Sequence, residues 1–282
     1  MHPVRLRTVA EASAWARASC REGRITALVP TMGYLHEGHL SLMREAKRRA
    51  DRVAVSIFVN PTQFGPSEDF SRYPRDLDGD TAKCASAGVD VVFCPEAAEL
   101  YPEGHQTRVE VGDLSKGLCG EKRPGHFRGV ATIVTKLFAL LRPDVAVFGE
   151  KDFQQLQVVK AVARDLNLGV EVVGMPTHRE PDGLAMSSRN AYLSADERAR
   201  AAAISRSLFA AQKRVKEYSA DVRQLVTVVR ADLAAANLRE DYVEVVDAET
   251  LKSVGELRPG RPARLLVAAY AGSTRLIDNV GL

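Results

Sequence analysis

The amino-acid sequence predicts an α/β protein with a doubly wound parallel sheet, followed by a smaller α+β domain. Short β-branched runs recur along the first part of the chain, separated by segments in which apolar residues are spaced by three and four. This alternation is typical of parallel strands joined by helices that cover both faces of a sheet. The runs are ITALV at 25–29, VAVSIFV at 53–59, VDVVF at 89–93, VAVF at 145–148 and VEVV at 170–173.

The pattern changes near residue 180. Two long alanine-rich helices are predicted at 196–217 and 221–236, and they are followed by the strand-like segments YVEVVD and ARLLVAAY. We therefore expect one domain at 1–178, with a Rossmann-like sheet, and a smaller α+β domain at 179–282.

Composition excludes several classes of protein. Hydrophobic residues make up 45% and charged residues 27% of the 282 residues, which is ordinary for a globular enzyme. The net charge of +3 is mild, and the short basic run KRR at 47–49 does not support nucleic-acid binding. No apolar run is long enough for a membrane span and no export signal is evident, so we expect a cytoplasmic protein. The four cysteines form no C-x-x-C pair, which favours reduced thiols.

The stretch PTMGYLHEGHLSLMREA, beginning at Pro30, is the main functional signal. It follows a predicted strand and precedes a predicted helix, where doubly wound sheets bind ligands. Its glycines allow the backbone to approach a ligand, and the helix amino terminus presents N–H groups to an anion such as phosphate. Zinc is disfavoured, because His36 and His39 are three residues apart rather than four and no third ligand is evident. Plain loop histidines are the alternative to this functional interpretation.

The H-x-G-H turn resembles that of the nucleotidyltransferase superfamily. Further blocks, in the same order along the chain, resemble the pantothenate synthetase (pantoate–β-alanine ligase) family: VSIFVNPTQF at 55–64, RPGHFRGV at 123–130, FGEKDFQQL at 148–156 and REPDGLAMSSRNAYL at 179–193. The resemblance implies an AMP-forming acid:amino-acid ligase of coenzyme A precursor biosynthesis. ATP and pantoate would give an enzyme-bound pantoyl adenylate and pyrophosphate, and β-alanine would then displace AMP to give pantothenate.

The resemblance also implies roles for single residues. His36, His39 and Lys151 would be the catalytic residues around the triphosphate, with His39 as the proton donor that supports the departing pyrophosphate. The positions that match the ATP-binding segments of the family are Met32, Gly33, Tyr34, Leu35, His36, Glu37, Gly38, His39, Gly149, Glu150, Lys151, Asp152, His178, Met186, Ser187, Ser188 and Arg189.

Some of these positions have a structural alternative. Asp152 directly precedes a helical pattern, so it fits a helix N-cap as well as a contact to ATP. Lys151 also fits a solvated turn. Ser187 and Ser188 would bind phosphate beside Arg189, or they would cap a helix near Tyr192. In the first case the second domain closes over the ATP site.

Substrate selection is expected from amide side chains. Gln63 and Gln155 match the pantoate-binding positions, and Gln63 also matches the β-alanine site; an amide can both donate to and accept from an acid with hydroxyl groups. Met32 would add apolar contact. Arg123 and His126 lie in a loop with glycine and proline, where they are candidates to line the site.

Magnesium is expected because the proposed reaction uses ATP. In YPRDLDGDTAK at 73–83 the family commonly has adjacent acidic residues where this chain has Gly79 and Asp80. Asp80 is therefore the candidate Mg²⁺ ligand, through water, and Asp78 is a possible substitute.

Two other classes of function stay open. One is an H-x-G-H nucleotidyltransferase that transfers to a phosphate, and the other is a nucleotide-binding regulatory or RNA-binding domain. The family resemblance implies a homodimer that works on the small molecules pantoate, β-alanine and ATP, without nucleic acid or membrane.

Overall fold

The computed structural model describes residues 2–66, 68–217 and 221–282. The chain forms two compact units. One comprises the chain up to Glu150 together with Gln155–Pro176, and the other comprises Lys151–Gln154 together with Thr177–Leu282. The chain therefore enters the second unit for four residues, returns to the first, and leaves it again after Pro176.

The first unit contains a six-stranded sheet in which every pair of neighbouring strands is parallel. Its order is β1-β4-β3-β2-β5-β6. The strands are β1 Val4–Leu6, β2 Thr26–Thr31, β3 Arg52–Ile57, β4 Val91–Phe93, β5 Val145–Gly149 and β6 Glu171–Met175. The predicted fold class is confirmed for this part of the chain.

Helices connect the parallel strands, as the alternating pattern predicts. They are α1 Val9–Arg21, α2 Glu37–Arg49, α3 Leu77–Ser86, α4 Ala97–Leu100, α5 Leu118–Lys122, α6 His126–Leu141 and α7 Phe153–Asp165. Of these helices, α1, α2, α3, α6 and α7 have ten or more residues, and α7 begins in the four residues that belong to the second unit.

Strand side chains are buried on both faces of the sheet. Alternate residues of β2, Ala27 and Val29, pack with Met43 and Ala46 of α2, and Cys84 of α3 lies in the same cluster. Leu28, which points to the opposite face, is also fully buried. Burial on both faces explains why the central strands read as continuous apolar runs rather than as alternating ones.

The strand order reverses beside β2, which has β3 on one side and β5 on the other. The segments after Thr31, Ile57 and Gly149 therefore leave the sheet at one edge, because the carboxyl ends of parallel strands coincide. Such a switch point is where ligands bind in open α/β sheets.

The second unit has an antiparallel three-stranded sheet with two long helices. Its elements are α8 Ala195–Glu217, α9 Val222–Ala235, β7 Arg239–Asp247, β8 Ala263–Ala271 and β9 Thr274–Gly281. Strand β8 is central. Apolar side chains of both helices and all three strands form one core that includes Leu208, Val229, Val243, Val267 and Leu276. The predicted α+β character of this region is confirmed. Within the described residues, no helix has both the length and the apolarity needed to cross a bilayer.

Candidate functional site

The turn between β2 and α2 has a backbone that glycine makes possible. Gly33 has φ of +88° and Tyr34 has φ of +51°, both in the left-handed region. Thr31 stabilises the entry to the turn: its hydroxyl donates to the carbonyl of Ser56 at 2.7 Å and accepts from the amide of Gly33 at 3.2 Å. The turn is thus fixed to the neighbouring strand β3.

His36 and His39 lie at the amino end of α2. Their ring centroids are 4.0 Å apart, and the amide of His36 donates to Nδ1 of His39 at 3.3 Å. Because Nδ1 of His39 accepts, its ring proton is placed on Nε2. The two imidazoles therefore lie beside the first N–H groups of a 13-residue helix, an arrangement suited to an anion. Gly38 and Glu37 lie in the first turn of the same helix, where Glu37 pairs with Arg44.

Asp80 lies behind this turn, on α3. Its Oδ2 accepts from the amide of Tyr34 and its Oδ1 accepts from the amide of Leu35, each at 2.7 Å. The residue is 1% exposed, and burial raises the pKa of its carboxyl although the two amide bonds act in the opposite sense. Direct ligation of magnesium by Asp80 does not fit these contacts, since both oxygens already accept from backbone amides; the predicted contact through water stays a prediction. In the parts of the chain that the structure describes, no group of three acidic, histidine or cysteine side chains is arranged to hold a metal.

Gly79 has a local structural reason. Its amide donates to Oδ1 of Asp76, the N-cap of α3, at 3.0 Å. A Cβ atom at position 79 would overlap the carboxylate of Asp76. A second carboxylate at this position would therefore disturb the cap. Asp78 is an exposed side chain that pairs with Arg5 at 2.6 Å.

Gln63 lies in a short helical turn, Pro61–Gln63, after β3. Its Oε1 accepts from Nδ2 of Asn60 at 3.1 Å, and its Nε2 lies 3.0 Å from Sδ of Met32. The Asn60 amide is oriented in turn by the hydroxyl of Tyr101, which donates to Oδ1 at 3.0 Å. Gln63 and Met32, both predicted site residues, are thus brought together. Sequence reasoning missed Asn60 and Tyr101; Asn60 stands in the quoted block VSIFVNPTQF, and only its near-complete burial would have distinguished it.

Arg123 and His126 support the segment that carries Gln63. His126 Nδ1 lies 2.8 Å from the carbonyl of Gln63 and therefore donates to it. Its Nε2 is then the acceptor for Arg123 at 2.9 Å. Arg123 also donates two 2.7 Å bonds to Glu68. Burial opposes ionisation of Glu68, but the hydrogen bonds and charge of Arg123 outweigh it and hold the pKa of this carboxyl below its usual range.

The segment after β5 carries the other cation of the predicted site. Lys151 Nζ pairs with Asp152 Oδ2 at 2.9 Å, and the carbonyl of Lys151 accepts from Asn279 of β9 at 3.0 Å. Gly149 ends β5 and Glu150 follows it in the first unit. Gln155 lies in α7, next to the buried Gln154.

The segment at 178–189 folds back on itself within the second unit. The amide of Met186 donates to the carbonyl of His178 at 3.0 Å. Ser187 caps the short helix Ser188–Tyr192, because its hydroxyl accepts from the amide of Arg189 at 3.3 Å. The helix-capping alternative is therefore realised for Ser187, and Ser188 is buried. Contact of these residues with ATP stays a prediction.

A parallel sheet whose switch point carries a glycine turn, a histidine pair and a helix amino terminus defines an α/β protein with a candidate site for an anionic ligand such as a nucleotide phosphate. The family model described as pantoate-beta-alanine ligase matches residues 5–281. The chain belongs to the pantoate-beta-alanine ligase family.

Similar proteins agree with this assignment over the full chain. The pantothenate synthetase of Myxococcus xanthus is 64% identical, with 100% of this chain and 97% of that protein covered. The crystal structure of pantothenate synthetase from Thermus thermophilus superposes with a TM-score of 0.92 at 47% identity, covering 98% of both chains. A pantoate-beta-alanine ligase from Francisella tularensis, complexed with beta-gamma ATP and beta-alanine, has a TM-score of 0.80 at 32% identity, with 99% of this chain and 97% of that one covered.

Proposed function

We propose that the chain condenses pantoate with β-alanine at the expense of ATP, through an enzyme-bound pantoyl adenylate. The observation that carries the proposal is the pair His36 and His39 at the amino terminus of α2, in a chain of this family. The ligands named for the Francisella tularensis relative, beta-gamma ATP and beta-alanine, are two of the proposed substrates or their analogues.

In the first step the pantoate carboxylate attacks the α-phosphorus of ATP. A new O–P bond forms, the bond to the bridging oxygen breaks, and pyrophosphate leaves with the electron pair. His39, whose Nδ1 accepts from the His36 amide, donates its Nε2 proton to the departing group, and the N–H groups of α2 oppose the negative charge of that group. Lys151 supplies a further positive charge.

In the second step the free amine of β-alanine attacks the acyl carbon of the adenylate. The C–N bond forms, AMP leaves, and the amine loses a proton. Gln63 selects the acid: its oxygen is engaged by Asn60, so its NH₂ group is the part that can donate to the pantoate carboxylate or hydroxyls. The protein needs to keep water from the mixed anhydride until the amine arrives.

A partial reaction tests the proposal. With ATP, Mg²⁺ and pantoate but no amine, labelled pyrophosphate should exchange into ATP, and adding β-alanine should release AMP together with pantothenate. Release of ADP would mean an acyl phosphate and would contradict the adenylate. Exchange that needs a phosphorylated acceptor instead of pantoate would favour a different nucleotidyltransferase activity.

The homodimer implied by the family resemblance and the cytoplasmic location expected from the sequence belong to the same proposal. Sedimentation equilibrium of the purified chain measures the first, and fractionation of the source cells measures the second. A monomer at micromolar concentration would contradict the predicted assembly without bearing on the chemistry.

A further inference from the structure

Side chains of helix α3 form hydrogen bonds with backbone N–H and C=O groups of the turn before α2. The carboxylate of Asp80 accepts the amides of Tyr34 and Leu35, each at 2.7 Å. Lys83, one helical turn further on, donates from Nζ to the carbonyl of Leu35 at 2.8 Å. Three side-chain bonds from one helix thus fix two consecutive residues of the turn.

The turn needs such support because its backbone is strained. Tyr34 has a side chain and yet a φ of +51°, a conformation that costs about 1 kcal/mol or more and persists only where the surroundings impose it. Charge-assisted hydrogen bonds to a buried carboxylate are among the stronger ones in proteins. The absence of a side chain at Gly33 lets the turn approach α3 closely. A Cβ atom there would lie 3.0 Å from Oδ2 of Asp80 and 3.0 Å from a methyl carbon of Ile57.

The same contacts oppose a metal at Asp80. Magnesium demands near-ideal octahedral coordination by oxygen and keeps several waters, whereas each oxygen of this buried carboxylate is directed at a backbone N–H. The ammonium group of Lys83 also acts on Asp80, and a positive charge there disfavours a second cation.

We propose that Asp80 and Lys83 are positioning residues: they fix the turn that presents His36 and His39, and Asp80 does not ligate magnesium. The proposal deepens the adenylation function proposed above and rests on it for its kinetic consequences. Because Gln63 is held by a separate set of contacts, removing the Asp80 bonds should lower kcat for adenylation and leave the KM for pantoate nearly unchanged.

The central variant is Asp80→Asn, which keeps one acceptor oxygen but turns an NH₂ group toward a backbone N–H. Its matched control is Asp196→Asn, the same change at an exposed side chain in the first turn of another helix, α8. We expect Asp80→Asn to lower kcat for pyrophosphate exchange by about tenfold or more, with an unchanged magnesium concentration at half-maximal rate. Asp196→Asn should change neither quantity.

A readout independent of activity is hydrogen exchange at the Tyr34 and Leu35 amides, followed by NMR. Both amides should exchange about tenfold faster or more in Asp80→Asn than in wild type or Asp196→Asn. This contrast concerns the turn alone. If the wild-type chain lacked pantoate-dependent exchange of pyrophosphate, the adenylation proposal would fail while the amide result would still stand.

Lys83 provides a second test should Asp80→Asn fold poorly. Lys83→Met removes the donor to the Leu35 carbonyl and should lower kcat. Lys83→Arg keeps a donor at this position and should retain most of the wild-type kcat. The proposal is overturned if excess magnesium rescues Asp80→Asn, which would make Asp80 a metal ligand. It is equally overturned if both amides keep their wild-type exchange rates in Asp80→Asn, or if Lys83→Met has wild-type kcat.

Discussion

The turn before α2 and the segment at 60–63 leave the same edge of the sheet, but different chemistry holds them in place. The turn is fixed by ionised groups of α3, which accept and donate at its backbone. The Gln63 side chain is fixed by neutral groups, through a chain that runs from the Tyr101 hydroxyl to Asn60 and then to Gln63.

The difference shows what each region has to provide. On the proposed function the turn before α2 faces the triphosphate of ATP and needs rigidity, and the buried carboxylate of Asp80 supplies strong hydrogen bonds to its backbone. If Gln63 binds the acid as proposed, its amide needs a defined orientation, and the neutral neighbours that hydrogen-bond to its oxygen leave the NH₂ group as the donor. Variants on each side test this contrast.

The largest effect is expected at the turn before α2, for the histidine that is the proposed proton donor to pyrophosphate. His39→Ala should lower kcat for pyrophosphate exchange by about 10²-fold or more, because it removes a stabiliser of the departing pyrophosphate. His2→Ala, at an exposed position, is the control. A near wild-type rate with an unchanged circular dichroism spectrum would remove His39 from the mechanism.

In the segment at 60–63, which is held by neutral groups, the largest disturbance is expected from a substitution at Gly129. This glycine is in the first turns of α6, and a Cβ atom there would lie 2.7 Å from Cα of Gln63 and overlap the carbonyl of Thr62. Gly129→Ala should cost about 1–3 kcal/mol of unfolding free energy and raise the KM for pantoate. Urea unfolding measures the first and steady-state kinetics the second. Gly255→Ala, where a Cβ atom also meets open space, should leave both near wild type, and equal behaviour of the two variants would refute the packing argument.

A smaller effect is expected from removing the hydroxyl group that orients the Asn60 amide. Burial raises the pKa of the Tyr101 hydroxyl, so it remains a donor. Tyr101→Phe should cost about 0.5–1.5 kcal/mol and raise the KM for pantoate a few-fold, with the KM for ATP unchanged. The cost is modest because Thr62 also donates to Asn60. Tyr270→Phe, in β8 of the second unit, serves as the control. A change in the KM for ATP instead of the KM for pantoate would contradict the role assigned to Gln63.

The buried carboxylate of Asp80 and the half-buried carboxylate of Glu68 should respond to pH with opposite signs. The pKa of Glu68 lies below its unfolded value, so its contribution to stability is present above about pH 4.3 and is lost as pH falls through the folded pKa. The pKa of Asp80 lies above its unfolded value, so its ionisation reduces stability as pH rises from about 3.9 through the folded pKa.

Urea unfolding between about pH 3 and 6, the range that spans both ordinary carboxyl pKa values, measures these slopes. Glu68→Gln should flatten the acid loss of stability, and Asp80→Asn should steepen it relative to its own value at neutral pH. Slopes that shift in the same direction in both variants would contradict the opposite causes assigned to the two carboxylates.

The sequence was sufficient for the strands that are buried on both faces. The central strands are continuous apolar runs, so their pattern is visible without tertiary information. Strand β1 was missed because it has three residues and its Val4 is 60% exposed. Strand β9 was missed because Asp278 and Asn279 interrupt its apolar pattern; Asp278 is nevertheless buried, since Arg179 pairs with it at 2.6 and 2.9 Å.

Candidate site residues are visible in the sequence where they stand in short motifs or matching blocks. His36 and His39 follow from four consecutive letters, and Gln63 follows from a long matching block. Asn60 and Tyr101 could not be found in this way, because their importance comes from a hydrogen bond across 41 residues. Asp80 was noticed as an acid, but its amide partners lie 45 and 46 residues earlier in the chain, and no spacing rule indicates them.

Cys84 gives helix α3 a kinetic reporter of its own. The thiol is fully buried against the sheet, and burial raises its pKa to about 12, so a thiol reagent can modify it only after the helix lifts away. Cys20 is exposed and should react at once in the same sample. The rate at which Cys84 of the wild-type chain is alkylated therefore measures how often the helix that carries Asp80 and Lys83 detaches from the sheet.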